Sequence, residues 1–205
     1  MKFHHIAAFA AACSLAAFLT GCGNSAPASE MSETSAVSEE SAAETKSASA
    51  EDAEKQIGSD MTIGVLPITA HAGDKAVPVS VQIWNNSGFA AFGIQLYYDS
   101  KLKPVTAESN NEFSDAPAAK CELGNAAKTF MKSCLIGEED HMIVFAGLSG
   151  ENSTEDGKIV TFYFDIPDDA PAGHSFSLVT AIDSFNDEKK QSLNVKTLDG
   201  AITIE

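Results

Sequence analysis

The residues able to do chemistry are few, and their spacing limits what they can do. Beyond the first 21 positions the chain carries three cysteines, Cys22, Cys121 and Cys134, and three histidines, His71, His141 and His174. Each histidine falls in a different turn or strand end. The run Glu138-Glu139-Asp140-His141 puts carboxylates beside an imidazole. Consecutive residues seldom aim at one ion, so it reads as a solvated turn and no metal site is assigned. Cys121 and Cys134 have no nearby histidine with which to make a zinc site. An exported location permits a disulfide between them, and two free thiols are the alternative. No Gly-rich phosphate loop and no nucleophile elbow occurs, so the sequence offers no catalytic constellation and no cofactor site. Tyr97, Tyr98, Tyr163 and Trp84 are the raw material of a sugar platform. Such a platform needs several rings on one face; Tyr98 falls on the core side of its strand and Trp84 ends its strand beside a turn, so only Tyr97 and Tyr163 qualify, and carbohydrate binding is kept as an alternative reading.

Cys22 stands in a different setting. Lys2 precedes an apolar run over residues 6–19, too short to span a bilayer and shaped like a signal-peptide core. The run ends in Leu19-Thr20-Gly21-Cys22, which resembles the bacterial lipobox. That resemblance implies a signal peptide over residues 1–21 and a lipid-modified Cys22 thiol. The lipid would hold the protein on the outer face of a membrane, at the extracellular side of the cell envelope, without a transmembrane helix. Residues 22–60 are Ser, Ala and Glu with almost no large apolar side chain. Such a stretch cannot bury enough surface to fold, and about 38 residues of flexible coil span roughly 35 Å. A helix over residues 38–54 would have no apolar face to dock. The net charge is −16, and all 13 basic residues are lysine. Without arginine, and at this charge, the chain is a poor match for any polyanion, which excludes nucleic acid as a partner.

The elements that position side chains begin at Met61. Short runs of alternating apolar residues recur from there, separated by Gly, Asn, Asp and Pro. The spacing predicts strands over residues 61–70, 77–84, 88–99, 102–109, 129–136, 142–148, 158–166, 175–182 and 193–204, with residues 110–128 irregular. Nine strands and no amphipathic helix predict an all-β, antiparallel sandwich over residues 61–205. The stretch over residues 88–99 is the most informative. Ala90, Phe92, Ile94, Leu96 and Tyr98 fall on one side; Ala91, Gly93, Gln95, Tyr97 and Asp99 fall on the other. Ala91 and Gly93 offer little to pack or to solvate. Either a bulge or tight sheet contact lies there, or a foreign backbone or helix comes close.

Four motifs occur in an order that resembles the cohesin family: Val77-Pro78-Val79 after a Gly-Asp turn; Gly88 through Asp99 followed by Leu102; Met142-Ile143-Val144-Phe145-Ala146 leading to Gly157-Lys158-Ile159-Val160-Thr161-Phe162; and the closing Asp199-Gly200-Ala201-Ile202-Thr203-Ile204. The resemblance implies a nine-stranded jelly roll without enzymatic activity. It implies a dockerin-bearing partner, which carries calcium on its own chain and bears polysaccharide-degrading activity or scaffold modules, so that polysaccharide is met indirectly. It places the binding face on the third, fifth, sixth and eighth strands, at Ala91, Gly93, Gln95, Leu135, Val144, Ala146, Leu148 and Ser149. Many cohesins carry Asn and Asp where this chain has Ala91 and Gly93, which implies a more apolar interface here.

Overall fold

The computed structural model describes residues 50–107 and 116–205. After a short helix, α1 (Ala50–Glu54), come twelve strands: β1 (Thr62–Val65), β2 (Ile68–Ala70), β3 (Val77–Trp84), β4 (Phe89–Tyr98), β5 (Lys103–Pro104), β6 (Cys121–Leu123), β7 (Met131–Gly137), β8 (Met142–Ser153), β9 (Gly157–Asp165), β10 (Ser175–Asn186), β11 (Lys196–Leu198) and β12 (Gly200–Ile204). One sheet runs β11-β1-β3-β9-β5, with β6 also paired to β9; the other runs β2-β12-β10-β4-β8-β7. A single apolar core lies between them. This is the expected jelly-roll sandwich.

The nine expected strands become twelve for local reasons. The first breaks at Leu66-Pro67, where proline removes a ladder donor, and its halves join different sheets. The last breaks at Asp199 in the same way, so that β1 runs parallel to β11 and β2 parallel to β12. The third addition, β6, is a Cys-Glu-Leu triplet inside the stretch expected to be irregular. A single-turn 3-10 helix over Asn125–Ala127 follows it. The fourth strand shrinks to Lys103–Pro104, and residues 108–109 lie outside the described residues. The sixth and eighth strands extend past their expected ends to Ser153 and Asn186.

Inward alternation fills the core as the sequence pattern requires. Val79, Val81 and Ile83 of β3, Phe162 and Phe164 of β9, Ile94 and Leu96 of β4, Ile143 and Phe145 of β8, and Phe176 and Leu178 of β10 are all buried. Phe92 is the centre of an aromatic cluster. Its ring lies 5.8 Å from that of Phe89, 5.5 Å from Phe130, 5.2 Å from Phe145 and 6.2 Å from Phe185. Gly147 makes room for it: a Cβ at that position would stand 2.4 Å from the Phe92 ring.

Residues 50–60 differ from the disordered linker that composition predicts. Ala53 and Ile57, one helical turn apart, are both buried. The Asn85 side-chain amide donates to the carbonyls of Gly58 and Asp60, each at 3.0 Å. Asp60 also pairs with Lys196. Two buried apolar side chains, Ala53 and Ile57, and one amide clamp order this segment where acidic composition alone argues against it.

Candidate functional site

Register stacks the outward residues of β10, β4, β8 and β7 into four cross-strand rows. They read Asn186–Ala91–Leu148–Met131, Ser184–Gly93–Ala146–Ser133, Ala181–Gln95–Val144–Leu135 and Val179–Tyr97–Met142–Gly137. Three strand spacings by six residues give a flat area of roughly 14 by 20 Å. Four large apolar side chains are exposed among the described residues: Met131 (71%), Leu148 (53%), Val179 (41%) and Tyr97 (37%). All four stand on this one face. Side chains of that kind gathered on one sheet, with small residues between them, mark an interaction surface more often than a solvated one.

Seven of the eight sequence-assigned residues lie in these rows. Ala146 and Leu148 are exposed; Ala91, Gln95, Leu135 and Val144 are half-buried. Ser149 does not share their phase. Register jumps from Ala91↔Leu148 to Phe89↔Ser153, so residues 149–152 of β8 bulge out of register beside the face, and Ser149 starts that bulge. The same jump turns Phe89 into the core.

Gly93 corrects one expectation. It is buried, and the chain itself does the covering. A bulge in β10 between Ile182 and Ser184 swings Asp183 and Ser184 over it. A Cβ at Gly93 would lie 3.1 Å from Ser184 Oγ and 3.3 Å from Asp183 Oδ2. Thus the bulge reading holds at Gly93, while the open-surface reading holds at Ala91 and Ala146. Among the described residues the exposed Asp183 carboxylate has no ion pair and no hydrogen bond, and it stands beside the row Ser184–Gly93–Ala146–Ser133. Neighbouring polarity is internally satisfied: Tyr97 donates its hydroxyl proton to Gln95 Oε1 at 2.8 Å.

Met131, Val179 and Asp183 were absent from the sequence assignment. Met131 and Val179 share the phase of Leu135 and Ala181, so alternation was signal enough for them; Asp183 depends on the bulge and had none. The free edge of β7 is partly closed, because Ala118 bridges Leu135 and Ile136 N–H donates to Pro117 O at 2.9 Å. A partner therefore meets the face of this sheet and cannot simply extend β7.

Cys121 and Cys134 come together although they sit in different sheets. Their thiols share a hydrogen bond and are not joined by a disulfide. Lys132 Nζ donates to Cys121 O at 2.7 Å and to Cys121 Sγ at 3.3 Å. The hydrogen bond from Cys134, assisted by the Lys132 ammonium, lowers the Cys121 pKa to about 6. The same bond and burial push Cys134 well above the ordinary thiol range. No group of three or more His, Cys, Asp or Glu placed to hold a metal occurs among the described residues. Cys22 lies outside them.

The family model of the cohesin domain matches residues 61–204. No curated protein matches the chain. Similar solved structures include the sixth cohesin of Acetivibrio cellulolyticus scaffoldin B in complex with a Cel5 dockerin, at 17% identity and TM-score 0.58 over 71% of this chain and 99% of that one. A type III cohesin from the cell-surface anchoring scaffoldin ScaE of Ruminococcus flavefaciens gives 21% identity and TM-score 0.57 over 78% and 97%. A non-cellulosomal cohesin of the archaeon Archaeoglobus fulgidus gives 18% and 0.57 over 71% and 91%. These likenesses carry the fold; the family match, which spans most of the sequence, carries membership. The chain belongs to the cohesin family, whose domains are non-enzymatic protein–protein interaction modules.

Proposed function

We propose that this protein is a cell-surface tether that captures a dockerin-bearing protein on the β10–β4–β8–β7 face. The observation that carries the reading is that, among the described residues, the exposed large apolar side chains are confined to that face. A helix of about 13 residues, 10–12 Å wide, covers an area of this size. The flat strip is smaller than the roughly 800 Å² each partner contributes to a standard interface, so contact extends onto the surrounding turns. One of those turns is acidic, with Glu138, Glu139 and Asp140, whereas the other carries both signs, Asp187 and Glu188 followed by Lys189 and Lys190. With Asp183 over Gly93, the acidic turn favours a partner whose contacting helix carries lysine or arginine beside small apolar residues. Solved relatives in complex with dockerins support the partner class.

Pull-down of the full chain with calcium-loaded dockerin modules tests this. Capture that disappears when calcium is chelated is the expected result. Failure of every dockerin in the host genome to bind at micromolar concentration overturns it.

The anchoring half of the reading rests on the lipobox-like Leu19-Thr20-Gly21-Cys22. Cys22→Ala is expected to move the protein from the membrane fraction to the medium, because one thiol carries the whole attachment. Retention of the variant in washed membranes counts against the anchor. Direct carbohydrate binding has little support. Tyr97 is the one exposed large aromatic on the face, whereas Trp84 and Tyr163 belong to the opposite sheet. Glycan binding that vanished in Tyr97→Ala would reverse that order.

A further inference from the structure

The cysteine pair is not used by the docking face. Cys121 pairs with Phe162 in one sheet, and Cys134 pairs with Phe145 in the other. The Phe145 and Phe162 rings meet edge to face at 5.7 Å inside the sandwich. The two sulfurs therefore stand across the same gap between sheets, near its open side. Cys121 is half-buried and Cys134 buried. A cleft of about 740 Å³, lined by Thr106, Lys120, Lys132 and both cysteines, leads to them. The charged groups about the pair are Lys132 on β7, Lys120, and Glu122. Lys120 lies over the Tyr163 ring at 4.8 Å, and Glu122 raises the pKa of the same tyrosine. Lys132 is thus the cation that bears on Cys121 Sγ.

We propose that Cys121 and Cys134 are a reactive dithiol joining the two sheets, in which Cys121 exchanges with small anionic disulfides and Cys134 closes the product into an intramolecular disulfide. In the first step the Cys121 thiolate attacks one sulfur of the reagent. A bond forms between Cys121 Sγ and that sulfur, the reagent's S–S bond breaks, and the other half leaves as thiolate. In the second step Cys134 loses its proton to solvent and attacks Cys121 Sγ, expelling the remaining half as thiolate. Both protein thiols are oxidised and the reagent is reduced to two thiols. The asymmetry follows from position: the outer sulfur has access and a lysine, while the inner one has access only to its neighbour. Lys120 and Lys132 at the cleft favour carboxylate-bearing reagents.

Oxidised glutathione, added to the full chain carrying Cys13→Ser and Cys22→Ser, tests the proposal by intact mass and release of glutathione. The folded protein is expected to lose two hydrogens and retain no adduct. Cys134→Ser is expected to retain one glutathione, and Cys121→Ser to react at least about tenfold more slowly than its parent. The thiolate fraction of Cys121 rises with pH through about 6, so the rate should reach half its plateau there. Two retained glutathiones on the parent, no reaction while folded, or a rate still climbing steeply above pH 8 overturns it. The parent's own product, closed or doubly adducted, decides the matter even where a serine variant folds poorly.

Discussion

Leu148→Asp is expected to abolish dockerin capture while leaving the sandwich folded. Leu148 stands between Ala91 and Met131 in the outermost row and is more exposed than buried, so the free protein loses little packing when it is replaced. Substitutions at such positions ordinarily shift stability by no more than about 0.5 kcal/mol. In the complex the situation reverses. A carboxylate would be set against the apolar residues of the docked helix, in a row whose neighbours Ala91 and Met131 offer it no hydrogen-bond donor. A penalty of at least about 2 kcal/mol is expected, which is roughly thirtyfold in Kd. Titration calorimetry with a dockerin that the parent captures measures it, and thermal unfolding of the variant alone checks the fold. Affinity within threefold of the parent would remove Leu148 from the contact and with it this choice of face. Ala146→Arg makes the same point by bulk, since Ala146 is exposed at the middle of β8.

The largest stability effect is expected at Phe92. Its side chain is almost fully buried directly beneath Ala91 and Gly93, and it contacts the rings of Phe89, Phe130, Phe145 and Phe185. Phe92→Ala removes the ring and leaves a cavity that four neighbours cannot all relax into. A loss of about 3–5 kcal/mol is expected, enough to consume much of a small domain's stability. Gly147→Ala acts on the same contact from the other side. The added methyl meets the Phe92 ring at 2.4 Å, and overpacking of this kind costs about 1–3 kcal/mol. The two changes should not add. In the double variant the methyl enters space the ring has vacated, so the combined loss should fall short of the sum by at least about 0.5 kcal/mol. Urea unfolding of the four proteins measures this, and strict additivity would show that the two residues do not press on one another.

Legibility of the fold followed the range of the forces involved. The strand β4 was plain because alternation over ten residues is a local pattern that a buried face imposes directly. The sandwich followed from the repetition of that pattern. The division of the first and last strands between two sheets was not legible, because which sheet a strand joins is decided by a partner more than a hundred residues away. The triplet Cys121–Leu123 is too short to show a period. Helix α1 and the segment after it were misjudged because composition averages over a window, whereas order there depends on Ala53, Ile57 and the Asn85 clamp. At the site, phase set Ala91 and Gln95 outward, Leu135, Val144, Ala146 and Leu148 came to the face through the family resemblance, and Met131 and Val179 were within reach of alternation. The covering of Gly93 was beyond it, since a bulge in a neighbouring strand leaves no mark on the glycine's own sequence.

The parallel clasp of β1 with β11 and of β2 with β12 has a consequence for how the molecule is made. During synthesis residues 62–70 emerge early; β1 can pair with β3, but β2, whose sheet neighbour is β12, waits for residues 200–204. Until residues 196–204 arrive, each sheet presents an unfinished margin. Assembly is then a late and concerted event with a high proportion of distant pairings, slow compared with that of a helical bundle of equal size.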